Sequence, residues 1–520
     1  MIWLLPVLLL VLTVPAVVML LRARRSRQAP VRGPRGRGGG RWAHMSPMVW
    51  WRGTVDQWAG ALYPWMLGSG VPMQGVPIGK VTRRGRAGTN NRGATLCCDP
   101  YSWYHLAKLI SNPSAFVLGL PGLGKSTLVR KWVLGLDYFG VVSLVLGDLK
   151  GEYVDLIRQL GGQVIPIGRA RGHINVLDMG STLDACRRLR AAGFHQEAEE
   201  LLAVSRGRRQ AAVETLLTLH RSTPLRDKEV LLVAAALREL DSRITDRVPI
   251  IEDLWDLVET PTPTMHAAAQ SYDDLAQYRA VAGDLLSNLQ SLANGYGLGE
   301  VFSQETTVRF RVDTHAVFDV SALDDTDTRL RAAALMLSWA IGFGEVAVAN
   351  TLAAVGLAEQ RNYHIVVDEL WRALRAAEGL PDLADGLTRL NRDKGVVTTF
   401  VSHSMDDLAA VQTRADVAKA RGILDRCGMV VAFGLRGSEM PALSEAVHLT
   451  QVERETLTRW TAPPTWSPQV GKNAQWPGRG LCLVKVGERP GIPVQIELTE
   501  LEKPYSDTAK KWLDAQQVAA

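Results

Sequence analysis

Two short stretches of this chain carry residue types whose spacing could do chemistry. The first is GLPGLGKST, Gly119 to Thr127, which fits the pattern G-x-x-x-x-G-K-[ST]. Its glycines let backbone N–H groups turn inward around phosphates, and the positive end of a following helix adds to them. In such a loop Gly119, Leu120, Pro121, Gly122, Leu123, Gly124, Lys125, Ser126 and Thr127 cradle a nucleotide. Lys125 reaches the β- and γ-phosphates, and Ser126 ligates Mg2+. The second stretch is HIVVDELW, His364 to Trp371, an apolar run that ends in Asp368 and Glu369. Asp368 would complete the metal site through its water shell, and Glu369 would orient an attacking water. A plainer reading is that a helix starts there, with acids in its first turn. Binding-only nucleotide switches often keep the first carboxylate and lack the second, so the pair points to ATP hydrolysis.

A third stretch, GLTRLNRDKGVVTTFVSHSMDD, runs from a helix carrying Arg389 and Arg392 into a strand ending at Ser402, His403 and Ser404. A polar side chain at such a strand end can touch the γ-phosphate. Either arginine could neutralise transition-state charge, within one subunit or across an interface. The alternatives are a solvated helix face for the arginines and an ordinary hydrogen-bonded histidine for His403.

These residues need a scaffold, and the hydrophobic pattern supplies one. The runs AFVLGL, VVSLVLGD, QVIPIG, HAVFDVSAL, HIVVDEL, VVTTFVSHS and GMVVAFGL read as buried strands, several of them separated by helical segments. That alternation predicts an α/β fold with a mainly parallel sheet. The strands stop between about residues 181 and 297, where LRDKEVLLVAAALRELDSRI and AVAGDLLSNLQSLANG show helical spacing. Near the end, GLCLVKVGERPGIPVQIELT reads as a hairpin and DTAKKWLDAQQ as a last helix.

At 520 residues with 47% apolar content, the chain has enough material for a full core and more than one domain. Its five cysteines form neither CxxC pairs nor a disulfide framework, which favours a reducing compartment and argues against zinc. The net charge of +6 arises from one cluster of arginines, Arg22 to Arg41, with no acid before Asp56. Without that cluster acids slightly outnumber bases, so the charge describes a tail and not a nucleic-acid groove on the body. The cluster follows an uncharged apolar run, Met1 to Leu21, long enough to cross a bilayer of roughly 30 Å. With the positive charge after the run, the expectation is a retained anchor with everything beyond Arg22 in the cytoplasm. The tryptophans from Trp42 to Trp65 suit either a membrane interface or core packing.

The order of these pieces resembles the type IV secretion and conjugative-transfer ATPases of the FtsK/HerA superfamily of P-loop motors, over roughly residues 75–508. Beside the two motifs above, GDLKGEY (147 to 153) and GHINVLD (172 to 178) resemble the family's D-x-K-G-E and I-N-P-L-D elements, and DELW its Asp-Glu-x-Trp. The family has Thr-Gln-Ser where this chain has Ser402, His403 and Ser404. The resemblance implies a RecA-like P-loop NTPase core, a hexameric ring, ATP and Mg2+ as ligands, and DNA or secretion-system proteins as partners. The anchor and DLKGE lean toward the coupling-protein branch; DELW and the C-terminal hairpin lean toward the secretion-ATPase branch.

The expected organisation is an anchor over residues 1–21, a basic linker over 22–45 and a Trp-rich juxtamembrane segment over 46–74. Core parts at 75–180 and 301–460 flank an all-α insertion at 181–300, and a hairpin and helix occupy 461–520. The expected function is a membrane-anchored ATPase that energises conjugative DNA transfer or type IV secretion. A double-stranded DNA translocase and a nucleotide-gated membrane scaffold with little hydrolysis are the alternatives.

Overall fold

Every residue of Ser114–Leu118, Val141–Asp148 and Ala316–Asp319 is buried, as strands covered on both faces require. The computed structural model describes residues 72–82, 93–271, 274–374, 395–406, 417, 422–463 and 476–506. The apolar run, the basic linker, the Trp-rich segment up to residue 71, Arg389, Arg392 and the expected last helix lie outside the described residues.

The strands are β1 (Pro77–Val81), β2 (Thr95–Cys97), β3 (Ser114–Leu118), β4 (Val141–Asp148), β5 (Gln163–Pro166), β6 (Ala316–Asp319), β7 (Asn362–Val367), β8 (Val396–Ser402), β9 (Met429–Ala432), β10 (Leu481–Lys485) and β11 (Ile492–Ile496). They form one sheet in the order β2-β1-β11-β10-β9-β3-β8-β7-β4-β6-β5. From β9 to β5 all neighbours are parallel, whereas β10, β11, β1 and β2 add on antiparallel. The two motif-bearing strands, β3 and β7, are therefore not neighbours; β8 lies between them.

Successive side chains of a strand point to opposite faces, and the two cores follow that rule. Phe116 and Leu118 of β3 enter one core, with Leu335 and Trp339 of the helix Thr328–Ala354 and the apolar faces of the helices before β6. Ala115 and Val117 enter the other, against Leu128, Val129, Trp132 and Val133 of the helix Lys125–Asp137. Burying each such Leu, Val or Phe contributes about 2 kcal/mol. Thr328–Ala354 is long and apolar enough to cross a membrane, yet 78% of its most apolar window is buried. It is a core helix, apolar all round because sheet and helices surround it. Trp339 Nε1 donates to the Leu146 carbonyl of β4 at 2.7 Å, which satisfies the indole inside that core.

Between β5 and β6 the chain is helical, with Thr182–Ala191, His195–Arg221, Asp227–Arg243, Ile251–Glu259, Pro263–Ala269 and Leu275–Ala293 as the longer helices. Most of them share the first core, while Ala185, Cys186 and Leu189 of the first helix and Ala198, Leu201 and Leu202 of the second pack against Val348 and Leu352 in a smaller cluster of their own. Asn175 of INVLD ties them down: its Nδ2 donates to the Pro249 carbonyl at 2.8 Å, and its Oδ1 accepts from Leu177 N–H at 2.9 Å.

One buried polar group crosses the centre of the sheet. His364 of β7 meets the Ser143 hydroxyl of β4 at 3.5 Å and the Thr399 hydroxyl of β8 at 2.9 Å. Burial, and then the neighbouring His315, lower its pKa to about 3. A histidine held neutral in the fold but free to protonate once unfolded favours unfolding in acid. Its contribution to stability is complete above about pH 6.5 and is lost as the pH falls toward the folded value. In denaturant titrations His364→Gln should therefore flatten the decline in unfolding free energy between about pH 6.5 and pH 4 relative to wild type. Parallel slopes for the two proteins would assign that decline to other groups.

Candidate functional site

The phosphate-binding motif sits where β3 turns into the helix Lys125–Asp137, with Gly124 at the helix start in a left-handed conformation, φ 114°. Gly119 allows a close approach that no larger residue permits: a Cβ there would lie 2.5 Å from Phe433 Cβ. The segment after β9 holds the loop from behind. Phe433 N–H donates to the Leu118 carbonyl at 2.8 Å, and Leu120 N–H to the Gly434 carbonyl at 3.0 Å. The C-terminal hairpin supports the far side, where Gly480 N–H donates to the Leu123 carbonyl at 2.8 Å. Lys125 is buried and folds back on its own loop, its Nζ donating to the Gly119 carbonyl at 2.5 Å and the Leu120 carbonyl at 3.2 Å. Burial lowers its pKa to about 8, against the nearby carboxylates of Asp368 and Glu369, which raise it. An incoming phosphate would supply the counter-charge this ammonium lacks.

Register brings the second motif to the same edge. Leu118 pairs with Ser402 and Val367 with Phe400, so Gly119, His403 and Asp368 emerge together at the carboxyl ends of parallel strands. Asp368 accepts from Tyr153 Oη at 3.2 Å and from Glu369 N–H at 2.8 Å. Burial, and then the adjacent Glu369, push its carboxyl up to about 7. Glu369 is 3% exposed, in a left-handed conformation with φ 51°, rare for a residue with a side chain. Its Oε1 accepts from Lys150 Nζ at 2.7 Å and His403 Nε2 at 2.9 Å, and its Oε2 from Trp371 Nε1 at 2.7 Å. Burial alone would raise its pKa; His403 and Lys150 outweigh that and hold the carboxylate ionised, well below the usual range.

GDLKGEY is the device that aims Lys150 and Tyr153. The Asp148 carboxylate at the end of β4 accepts backbone N–H groups of Lys150 at 3.2 Å, Glu152 at 2.9 Å and Tyr153 at 2.7 Å, folding the loop around itself. Since β4 neighbours β7, Lys150 and Tyr153 then face Glu369 and Asp368. Sequence reasoning quoted this stretch but gave Lys150, Tyr153 and Trp371 no role. The available signal was an aspartate at a strand end with a lysine two residues on.

Of the residues expected to act, the P-loop set Gly119 to Thr127, Asp368, Glu369 and His403 stand on this one edge. His403 touches the glutamate itself, and its Nδ1 is buried without a hydrogen-bond partner. Arg389 and Arg392 lie outside the described residues. Among the described residues there is no group of three or more His, Cys, Asp or Glu arranged to hold a metal. The hydroxyl of Ser126 and the carboxylate of Asp368 offer hard oxygen donors in small number, which fits Mg2+, an ion that keeps several of its waters.

No protein-family model and no curated protein matches this chain. Among solved structures, VirB4 of Thermoanaerobacter pseudethanolicus superposes with a TM-score of 0.59 at 18% identity, over 84% of this chain and 100% of that one. The bacterial conjugative coupling protein TrwB in its unbound form gives 0.44 at 13% identity, over 75% and 86%. TrwB in complex with ADP and Mg2+ gives 0.42 at 15% identity, over the same shares. The chain therefore has the RecA-like P-loop fold of VirB4, as the sequence resemblance led one to expect.

The contact between Gly119 and Phe433 makes a direct test. Gly119→Ala should cost about 1–3 kcal/mol through strain and the clash, and should weaken ATP binding more than tenfold. Thermal unfolding and equilibrium binding read the two effects, and an alanine variant with wild-type affinity would show that the close approach is dispensable.

Proposed function

We propose that this chain is a membrane-anchored ATPase that hydrolyses ATP to energise conjugative DNA transfer or type IV secretion. One observation carries the reading: a phosphate loop and a buried, ionised glutamate stand at one sheet edge, with β8 between their strands. A nucleotide scaffold has no use for a carboxylate kept charged at such cost beside the phosphate loop.

The roles follow from position. Gly119, Leu120, Pro121, Gly122, Leu123, Gly124, Ser126 and Thr127 wrap the phosphates, and Lys125 leaves the loop carbonyls for the β- and γ-oxygens. Ser126 and Asp368 would hold Mg2+, which when bound neutralises phosphate charge. Glu369 accepts a hydrogen bond from the attacking water and orients it in line. His403, at the end of the strand between those of the glutamate and the phosphate loop, reports loss of the γ-phosphate. Arg389 or Arg392 supplies positive charge to the transition state, from the same subunit or from its neighbour in a ring. The remaining assignments rest on sequence: a span at residues 1–21 in the inner membrane with the catalytic body in the cytoplasm, a basic linker, and core halves at 75–180 and 301–460. The helices of 181–300 face partners, and the working form is a homo-hexamer acting on DNA or other secretion proteins.

The full-length protein in detergent should hydrolyse ATP with Mg2+, and Glu369→Gln should lower kcat by about 100-fold while changing ATP affinity less than about threefold. Stimulation by double-stranded DNA would favour a duplex translocase. Tight ATP binding without turnover in wild type would favour the scaffold. Light scattering of the same sample with ATP and Mg2+ should give a mass near six chains; a monomer under every condition would count against the ring.

A further inference from the structure

Three donors hold the Glu369 carboxylate before any substrate arrives. A carboxylate oxygen has two lone pairs suited to hydrogen bonds. Oε1 spends both, on Lys150 Nζ at 2.7 Å and His403 Nε2 at 2.9 Å, whereas Oε2 takes the Trp371 indole at 2.7 Å, keeps one lone pair and lies 3.8 Å from Arg372 Nε, on the side of its own following helix. A water oriented for attack from the phosphate-loop side needs a place on Oε1, the oxygen that His403 of β8 holds beside β3. One donor must give way.

The three donors differ in how firmly they are held. Trp371 lies two residues along, within the short helix Leu370–Leu374 that follows Glu369. His403 stands at the end of β8, fixed between β3 and β7. Lys150 comes from another strand end, and its side chain is 49% exposed where that of Glu369 is 4%. Its backbone is pinned by Asp148, so the ammonium can swing away while the loop stays in place. The left-handed backbone of Glu369 adds a second sign that its side chain is held in an imposed orientation.

We propose that Lys150 is a positioning residue that holds Glu369 in a resting orientation and thereby sets a low basal rate of hydrolysis. The ion pair occupies the lone pair that the attacking water requires, and turnover accelerates when a ligand or neighbouring subunit draws the ammonium away. This rests on the ATPase reading above and adds the control of its glutamate. Lys150 is distinct from the phosphate-binding Lys125, since its partner is the carboxylate and not the loop.

The test compares full-length wild type with Lys150→Met, which keeps the length and removes the charge, and with Lys150→Arg, which keeps the ion pair. With ATP and Mg2+, Lys150→Met should raise the unstimulated kcat by about three- to tenfold with KM and ATP affinity unchanged within about twofold. Lys150→Arg should stay at the wild-type rate. A purely structural role would instead lower kcat along with thermal stability in Lys150→Met. A fall in kcat at unchanged stability and affinity would make Lys150 an ion required in the reaction and overturn the restraint, as would equal rates in all three proteins. Silence of both wild type and Lys150→Met while ATP binds also overturns it, because release of the restraint would have freed nothing. Failure of every protein to bind ATP would instead overturn the proposed function itself.

Discussion

Everything at the functional edge depends on the parallel register of three central strands. Leu118, Ser402 and Phe400, with Val367 beyond, are locked in sequence across β3, β8 and β7, and the loops leave from that line. A slip of one residue would turn Phe116 and Leu118 out of one core and Ala115 and Val117 out of the other. No local adjustment repairs such a slip, because both faces are packed. The cores thus hold the site in place even though few of their residues touch it.

On that frame the chain gathers charges that a protein interior normally excludes. Asp368 and Glu369 are adjacent, Lys125 is buried, and the desolvation of each disfavours its charged form. The settlement is uneven. Glu369 receives a lysine ammonium, an imidazole and an indole, while Asp368 receives a tyrosine hydroxyl and one amide. One carboxylate is kept fully ionised and its neighbour sits near the protonation midpoint at neutral pH, a separation produced by environment alone.

Much of this was legible in the sequence. The runs from AFVLGL to GMVVAFGL are the strands β3 to β9, and GLCLVKVGERPGIPVQIELT is the β10–β11 hairpin, because buried strands and hairpins leave apolar runs bounded by turn residues. The strand order was not legible. Periodicity says that VVTTFVS is a strand but contains nothing about its insertion between β3 and β7, which is a long-range choice. For the same reason the hydrogen bond from His403 to Glu369 was not legible, and the role of GDLKGEY emerged only once β4 was seen beside β7. What the helices between 182 and 293 pack against was not legible either, since helical spacing marks an apolar face without naming what covers it.

The antiparallel end of the sheet joins distant parts of the chain. Val81 of β1 pairs with Val494 of β11, and β1 in turn is the sole support of β2 among the described strands. During synthesis, β1 and β2 leave the ribosome with only each other to pair with, and about 400 further residues must follow before β11 exists. Contacts of such separation form late and slowly, so an unpaired strand edge stays exposed throughout translation. The same closure means that a chain cut short anywhere before β11 leaves β1 with β2 alone, and the hairpin that backs the phosphate loop goes with it. Synthesis through β11 is therefore a built-in checkpoint on assembly of the nucleotide site.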